Sequence, residues 1–278
     1  MAGQNPSVIK QLLISVPEGL LVDSKWLVAR GVSRQLLQRY VKSGWFERVG
    51  HGLVRRPSVL MGEGEAQDWV VPVLSAQWMG YDVHVGGPTA LELQGRGHYL
   101  RLGGRPVVYL YSDSPPSWVK KLEVNAELRF RKLNLFGDAE LGVSAVDGNR
   151  FGGDSPVAPW TFQLTVSSPE RAILEALDEL PLNEGFDGLD GVFASLSGLR
   201  PNLLSRLLGA CRSVKVKRLF FVFADRHAHA WRKYLDVSDF DLGSGDRQFV
   251  VGGRLHPDYR ITVPADFLPT PLGAADGA

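Results

Sequence analysis

Apolar residues recur at helical spacing from the start of the chain. Val8, Ile9, Leu12 and Leu13 predict a first helix over Ser7 to Ser15. A second is predicted to open at Asp23 or Ser24, to bury Trp26, Leu27 and, at its margin, Val28, and to stop at Gly31. Ser33 is a good cap and Gly44 a good stop, so a third helix is predicted over about 33 to 43. Its residues, placed at roughly 100° intervals, separate completely. Leu36, Leu37, Tyr40 and Val41 fall on one arc, and Arg34, Gln35, Gln38, Arg39 and Lys42 on the other. The segments 45–49 and 53–56 then read as short strands around the turn Gly50-His51-Gly52.

Beyond residue 66 the pattern mixes helices and strands without regular alternation. Trp69, Val70, Val73, Leu74, Trp78 and Met79 form a helical stripe, and Pro88 to Leu93 a short helix entered through two glycines. Strands are predicted over 106–111, 127–135 and 161–166. Ser167-Ser168-Pro169-Glu170 opens a further helix, with Glu170 placed for a capping box and a stripe of Ile173, Leu174, Leu177 and Leu180. More helices are predicted at about 186–197, 201–212 and 227–235, and closing strands at 248–251 and 259–263. The apolar segment from Lys217 to Ala224 fits helix and strand equally. The fold class is α+β, an N-terminal winged helix-turn-helix followed by a larger mixed α+β domain. The expected boundaries are 1–61, a Gly/Glu linker at 61–65, a second domain over 66–269 and a small-residue tail at 270–278.

Charge sharpens this division. The chain is nearly neutral, 31 basic against 30 acidic residues, yet residues 1–60 hold nine Lys and Arg against three acids, leaving the rest net acidic. Such segregation suits one module that meets a polyanion. The single cysteine, Cys211, excludes a disulfide framework and a multi-cysteine zinc site, and it is expected to pack as a small hydrophobe. No apolar run is long enough to span a bilayer and no leader pattern opens the chain, so a cytoplasmic protein is expected.

The exposed arc of the third helix suits double-stranded DNA. Arg can bridge guanine O6 and N7, Gln can bridge adenine N6 and N7, and Lys can pair with phosphate. The expected contact set is Arg34, Gln35, Gln38, Arg39 and Lys42, joined from the wing by Arg48, His51, Arg55 and Arg56. A solvated cationic face, or a protein-binding helix-turn-helix, is the plainer alternative.

Several separated segments resemble one family. Gly31-Val32-Ser33 and the run Ser43-Gly44-Trp45-Phe46-Glu47-Arg48-Val49-Gly50-His51-Gly52 resemble the winged helix of AbiEi antitoxins of type IV toxin-antitoxin systems. Val85 to Gly95 with His98-Tyr99-Leu100, Ser168 to Glu175, Asp241 to Arg247 and Tyr259 to Pro264 are similar to that family's second domain. The resemblance runs from about residue 7 to 268. It implies a winged helix that binds operator inverted repeats and represses its own operon, and a second domain that counteracts a co-encoded nucleotidyltransferase-like toxin. A stable complex with that toxin is not implied.

Other chemistry has little support. His227 and His229 lie two apart, which on a helix turns them away from each other, so surface or capping roles are expected and no metal. His98 is expected to be a satisfied histidine, and Gly95-Arg96-Gly97 a turn. No phosphate loop, nucleophile elbow or zincin motif occurs, and no cofactor or catalytic residue is expected. Glu170, Glu175, Asp178 and Glu179 read as the solvent face of their helix, and the tryptophans 69, 78, 118, 160 and 231 as core. Arg129 with Arg131, and Lys215 with Lys217 and Arg218, read as solvated or as added phosphate contacts. The rival functions are a regulator without antitoxin activity, a pure interaction protein, and a nucleic-acid-processing enzyme guided by a winged helix.

Overall fold

The computed structural model describes residues 6–58, 68–97, 105–147 and 163–269, with side chains described from Lys10 onward. The linker at 61–65, the tail at 270–278, Trp160 and the His98-Tyr99-Leu100 segment lie outside the described residues. The chain forms two compact units, the first comprising Met1–His84, Gly103–Arg131 and Ala145–Thr165, the second Val85–Leu102, Lys132–Ser144 and Val166–Ala278.

The first unit begins with α1 (Pro6–Ser15), β1 (Leu21–Asp23), α2 (Ser24–Ala29), α3 (Arg34–Lys42), β2 (Glu47–Gly50) and β3 (Leu53–Arg55). The three strands form an antiparallel sheet in the order β1-β3-β2, with Val22 opposite Val54 and Arg48 opposite Val54. β1 is too short to show an alternating pattern, and its partner lies thirty residues away in sequence. The two sheet faces pack differently. Val22 and Val54 join Leu12, Val16, Trp26, Leu27, Val32, Tyr40 and Phe46 in one core. Leu21 and Leu53 point the other way, onto Val71 of α4 (Val70–Trp78). Val28, expected at the margin of the core, is 56% exposed, because its position on α2 faces away from that cluster.

Asp23 joins these parts. It caps α2 by accepting from Trp26 N–H at 2.8 Å, and it also accepts from the Tyr81 hydroxyl and from Trp118 Nε1 at 3.0 Å. Burial and that carboxylate push the Tyr81 phenol upward. The unit also contains β5 (Val107–Tyr111) and β6 (Glu127–Arg131), paired in parallel from Val107↔Glu127 to Tyr111↔Arg131. β6 is shorter than the strand predicted over 127–135, since the chain turns into a 3-10 segment at Leu133–Leu135. Arg129 lies over the Tyr109 ring and bonds Glu127, so it is half-buried rather than freely solvated.

The remaining strands are β4 (His84–Val85), β7 (Val143–Asp147) and β8 (Gln163–Ser167), with Val85 and Val166 paired in parallel. The second unit is mainly helical: α5 (Gly87–Leu93), α6 (Pro169–Asp178), α7 (Phe186–Ser195), α8 (Pro201–Ala210) and α9 (Val214–His227). The segment that fits helix and strand equally is the centre of α9, where every residue from Val216 to Ala224 is buried. A helix buried all round shows no polar stripe. The helix predicted over 227–235 is instead a left-handed residue at Ala228 followed by a 3-10 turn at Arg232–Tyr234. The strand expected at 248–251 is absent. β9 (Arg254–Leu255) pairs with β10 (Thr262–Val263), and the backbone amides of Phe249 and Val250 bind the Thr262 hydroxyl.

The polar side of α6 departs most from expectation. Ser168 caps the helix, which puts Glu170 one position short of a capping box, and Glu170 is instead held by Arg200 through Nε at 3.0 Å and Nη2 at 2.9 Å. Glu175 is fully buried with Arg171, four residues earlier, at 2.7 Å. Its other oxygen accepts from Gly87 N–H and Ser167 Oγ, both at 2.8 Å, while Arg171 also donates to the carbonyls of Ala139 and Leu141. Glu179 is buried too, and only Asp178 of the four acids reaches solvent. Removing one partner of such a buried pair costs about 3–5 kcal/mol. Lys217 and Arg218 are likewise buried rather than displayed. Arg218 donates to the carbonyls of Leu242, Gly243, Gly245 and Arg260, and burial lowers its pKa.

Candidate nucleic-acid interface

The geometry of α3 is set at both ends by side chains. Ser33 is extended and its Oγ accepts from Leu36 N–H at 3.2 Å, taking one of the amides a helix start leaves unbonded. Ser43 Oγ donates back to the Arg39 carbonyl at 2.9 Å, and Gly44, at φ +76°, ends the helix. Gly31, at φ +82°, makes the turn from α2. Both glycines adopt the left-handed backbone that side-chain-bearing residues avoid.

The two arcs of the helix separate as the spacing predicts. Tyr40 is buried, and Leu36, Leu37 and Val41 pack partly buried on the core formed with Trp26 and Val54. Burial raises the Tyr40 phenol above its ordinary pKa. Arg34, Gln35, Gln38, Arg39 and Lys42 are all exposed. Among the described residues none of these five side chains has an intramolecular hydrogen bond or ion pair. Five donor-bearing groups thus share one open surface and remain available to a ligand.

The residues expected on the wing divide. Arg48 and His51 are exposed, His51 at the turn where Gly52 takes φ +69° and Gly50 does not take a left-handed value. A Cβ on Gly52 would sit 3.0 Å from Ser24 Oγ, and the Gly52 carbonyl accepts from Ser24 N–H, so the turn is fastened to the start of α2. Arg55 is ion-paired to Glu47 across the strands at 2.7 Å. It shares its sheet face with Leu21 and Leu53, away from the face that packs on α3. Arg56 reaches back to the carbonyls of Leu13 and Val16 and to Glu18 at 3.2 Å, closing the end of α1 onto β3. Both guanidiniums are engaged within the fold.

Two features escaped the reading of motifs. Arg30 lies with its guanidinium 3.6 Å from the Trp26 ring centroid, adding an exposed cation beside the α2–α3 turn. The spacing of four between Trp26 and Arg30 was the available signal. The Asp23 cluster drew on Tyr81 and Trp118, 58 and 95 residues away, and no local pattern announces such a contact. Between Ser24 and Ser58 the only acid is Glu47, and its charge is matched by Arg55.

The second unit offers different chemistry. His227 bonds Asp190 at 2.7 Å and His229 bonds the Phe193 carbonyl at 2.7 Å, each tying the end of α9 to α7. No group of three or more potential metal ligands is found among the described residues. Cys211 is buried, and that burial pushes its thiol up to about 11, leaving it a packed hydrophobe rather than a nucleophile. No described helix is long and apolar enough to cross a membrane.

Two family profiles match the chain. Residues 5–102 match the profile described as transcriptional regulator, AbiEi antitoxin N-terminal domain. Residues 105–264 match that described as transcriptional regulator, AbiEi antitoxin, type IV TA system. No curated relative matches the chain. Among solved structures, the RV2827C protein from Mycobacterium tuberculosis superposes with a TM-score of 0.53 at 17% identity, over 91% of this chain and 89% of that one. At that identity the likeness is one of fold. With family profiles covering nearly its whole length, the chain belongs to the AbiEi antitoxin family of type IV toxin-antitoxin transcriptional regulators.

Proposed function

We propose that residues 1–61 act as a winged helix-turn-helix that places α3 in the major groove of operator DNA, and that the protein thereby represses its own operon. The observation that carries this reading is the α3 surface, where Arg34, Gln35, Gln38, Arg39 and Lys42 are exposed with no internal partner and no acidic neighbour on the helix. Gln38, Arg34 and Arg39 would meet base edges, and Lys42, Arg48 and His51 the sugar-phosphate backbone. Arg55 and Arg56 support the module from within. Residues 66–269 would act, in the cytoplasm, against a co-encoded nucleotidyltransferase-like toxin without a lasting complex, and the protein would itself catalyse nothing.

Footprinting on DNA from its own promoter tests the proposal. Protection of paired, inversely repeated half-sites is expected. Protection no different from that on unrelated DNA would refute specific binding, and turnover of labelled DNA or RNA with divalent metal present would refute the non-enzymatic reading.

A further inference from the structure

The second unit contains a cleft of about 540 Å³ between α7, the last turn of α9, the β9–β10 connection and the segment Phe267–Pro269. Three carboxylates line it, and two are already committed. Asp190 is held by His227 at 2.7 Å and by Arg226 at 3.1 Å, and Asp225 by Arg232 at 2.6 Å and by the Tyr259 hydroxyl. Asp258 differs. Its side chain is 71% exposed, and its nearest cationic candidate, His256 Nδ1, is 4.0 Å away.

That nitrogen is an acceptor. His256 Nδ1 takes the backbone N–H groups of Asp258 at 3.3 Å and Tyr259 at 3.4 Å, so the ring proton resides on Nε2. Burial holds the imidazole pKa below its ordinary value, which keeps the ring neutral at pH 7. The side chain is only 6% exposed, and Nε2–H has no partner among the described residues. A nitrogen that must keep its proton cannot ligate a metal, so this donor, open to the cleft on an otherwise buried side chain, can serve an acceptor on a ligand. Val222, Phe267, Leu268 and Pro269 give the cleft an apolar wall; Arg226, in the last turn of α9, already lies over the Phe267 ring at 4.7 Å, which leaves Leu268 and Pro269 as the uncovered part.

We propose that this cleft binds an arginine residue of a peptide, its cation meeting Asp258, its aliphatic stem lying along Leu268 and Pro269, and its carbonyl accepting from His256 Nε2–H. The stem and head of such a side chain match an apolar wall with a carboxylate at its rim. The inference does not depend on α3 meeting DNA, so the two can fail separately.

Calorimetric titration of the full chain with N-acetyl-arginine amide tests it, beside agmatine, which lacks the carbonyl, and N-acetyl-norleucine amide, which lacks the cation. Saturable binding of the arginine amide is expected, with agmatine weaker and the norleucine compound about tenfold weaker or undetectable. Asp258→Asn, at an exposed side chain, should weaken arginine-amide binding about tenfold with the thermal midpoint unchanged. The proposal is overturned by no saturable binding, by equal binding of the norleucine compound or of agmatine, or by an Asp258→Asn protein that binds as tightly as the parent.

Discussion

Single side chains on α3 divide by what they would touch. Alanine at Arg34, Gln38 or Arg39 should each cost about 1–3 kcal/mol of operator affinity and relax base preference, whereas Lys42→Ala should weaken all duplexes alike and reduce the salt slope by about one unit. Titrations over a range of salt, on operator and scrambled DNA, separate the two behaviours. This surface was legible in the sequence because helix period and polarity are local properties. The roles of Arg55, Arg56, Glu170 and Glu175 were not, since each depends on a partner strand, a carbonyl or a backbone amide brought up by the fold. Glu170 gives a pH test. Burial alone would raise its pKa, but the Arg200 hydrogen bonds outweigh this and lower it below the usual carboxylate value. A depressed folded pKa adds stability above the unfolded value, lost as pH falls through the folded one. Arg200→Gln should therefore lower the thermal midpoint at pH 7, with the gap to wild type closing on acidification below about pH 4. A gap independent of pH would contradict this.

At the scale of elements, capped amphipathic helices announced themselves and short or fully buried elements did not. Ser33 and Gly44 bound α3 within a residue of expectation. β1, with three residues, carries no period, and the centre of α9, Val216–Ala224, has no polar stripe because it is enclosed on all sides. The turn at His51 illustrates how one glycine of a pair can matter more. Gly52→Ala should lose about 1–2 kcal/mol in denaturant unfolding, since φ +69° disfavours a Cβ and Ser24 Oγ stands in its way. Gly50→Ala meets nothing within 4 Å and should be nearly neutral. Equal losses at both sites would show that the turn is not anchored to α2 as described.

At the scale of the molecule, the expected linker at 61–65 separates parts that the fold interlocks. Val70, Val71 and Leu74 of α4 cover Leu20, Leu21 and Leu53, while Tyr81 and Trp118 bind the carboxylate that caps α2. Each such leucine is worth about 1.5–3 kcal/mol when fully buried. A chain ending at residue 61 should thus melt well below one ending at residue 131, and equal circular-dichroism melts would show the first 61 residues to be self-sufficient. The basic character of the first sixty residues was legible in the sequence; their dependence on α4, Tyr81 and Trp118, which fall in the same unit, rests on contacts far apart in sequence and was not. The account turns on whether the intact protein reads DNA through α3. The most direct measurement is fluorescence anisotropy with a promoter duplex and a scrambled duplex at one salt concentration, comparing wild type with Arg34→Ala/Gln38→Ala/Arg39→Ala. The preference of wild type for the promoter should vanish in the triple variant while its thermal midpoint stays; a triple variant that keeps that preference would contradict the account.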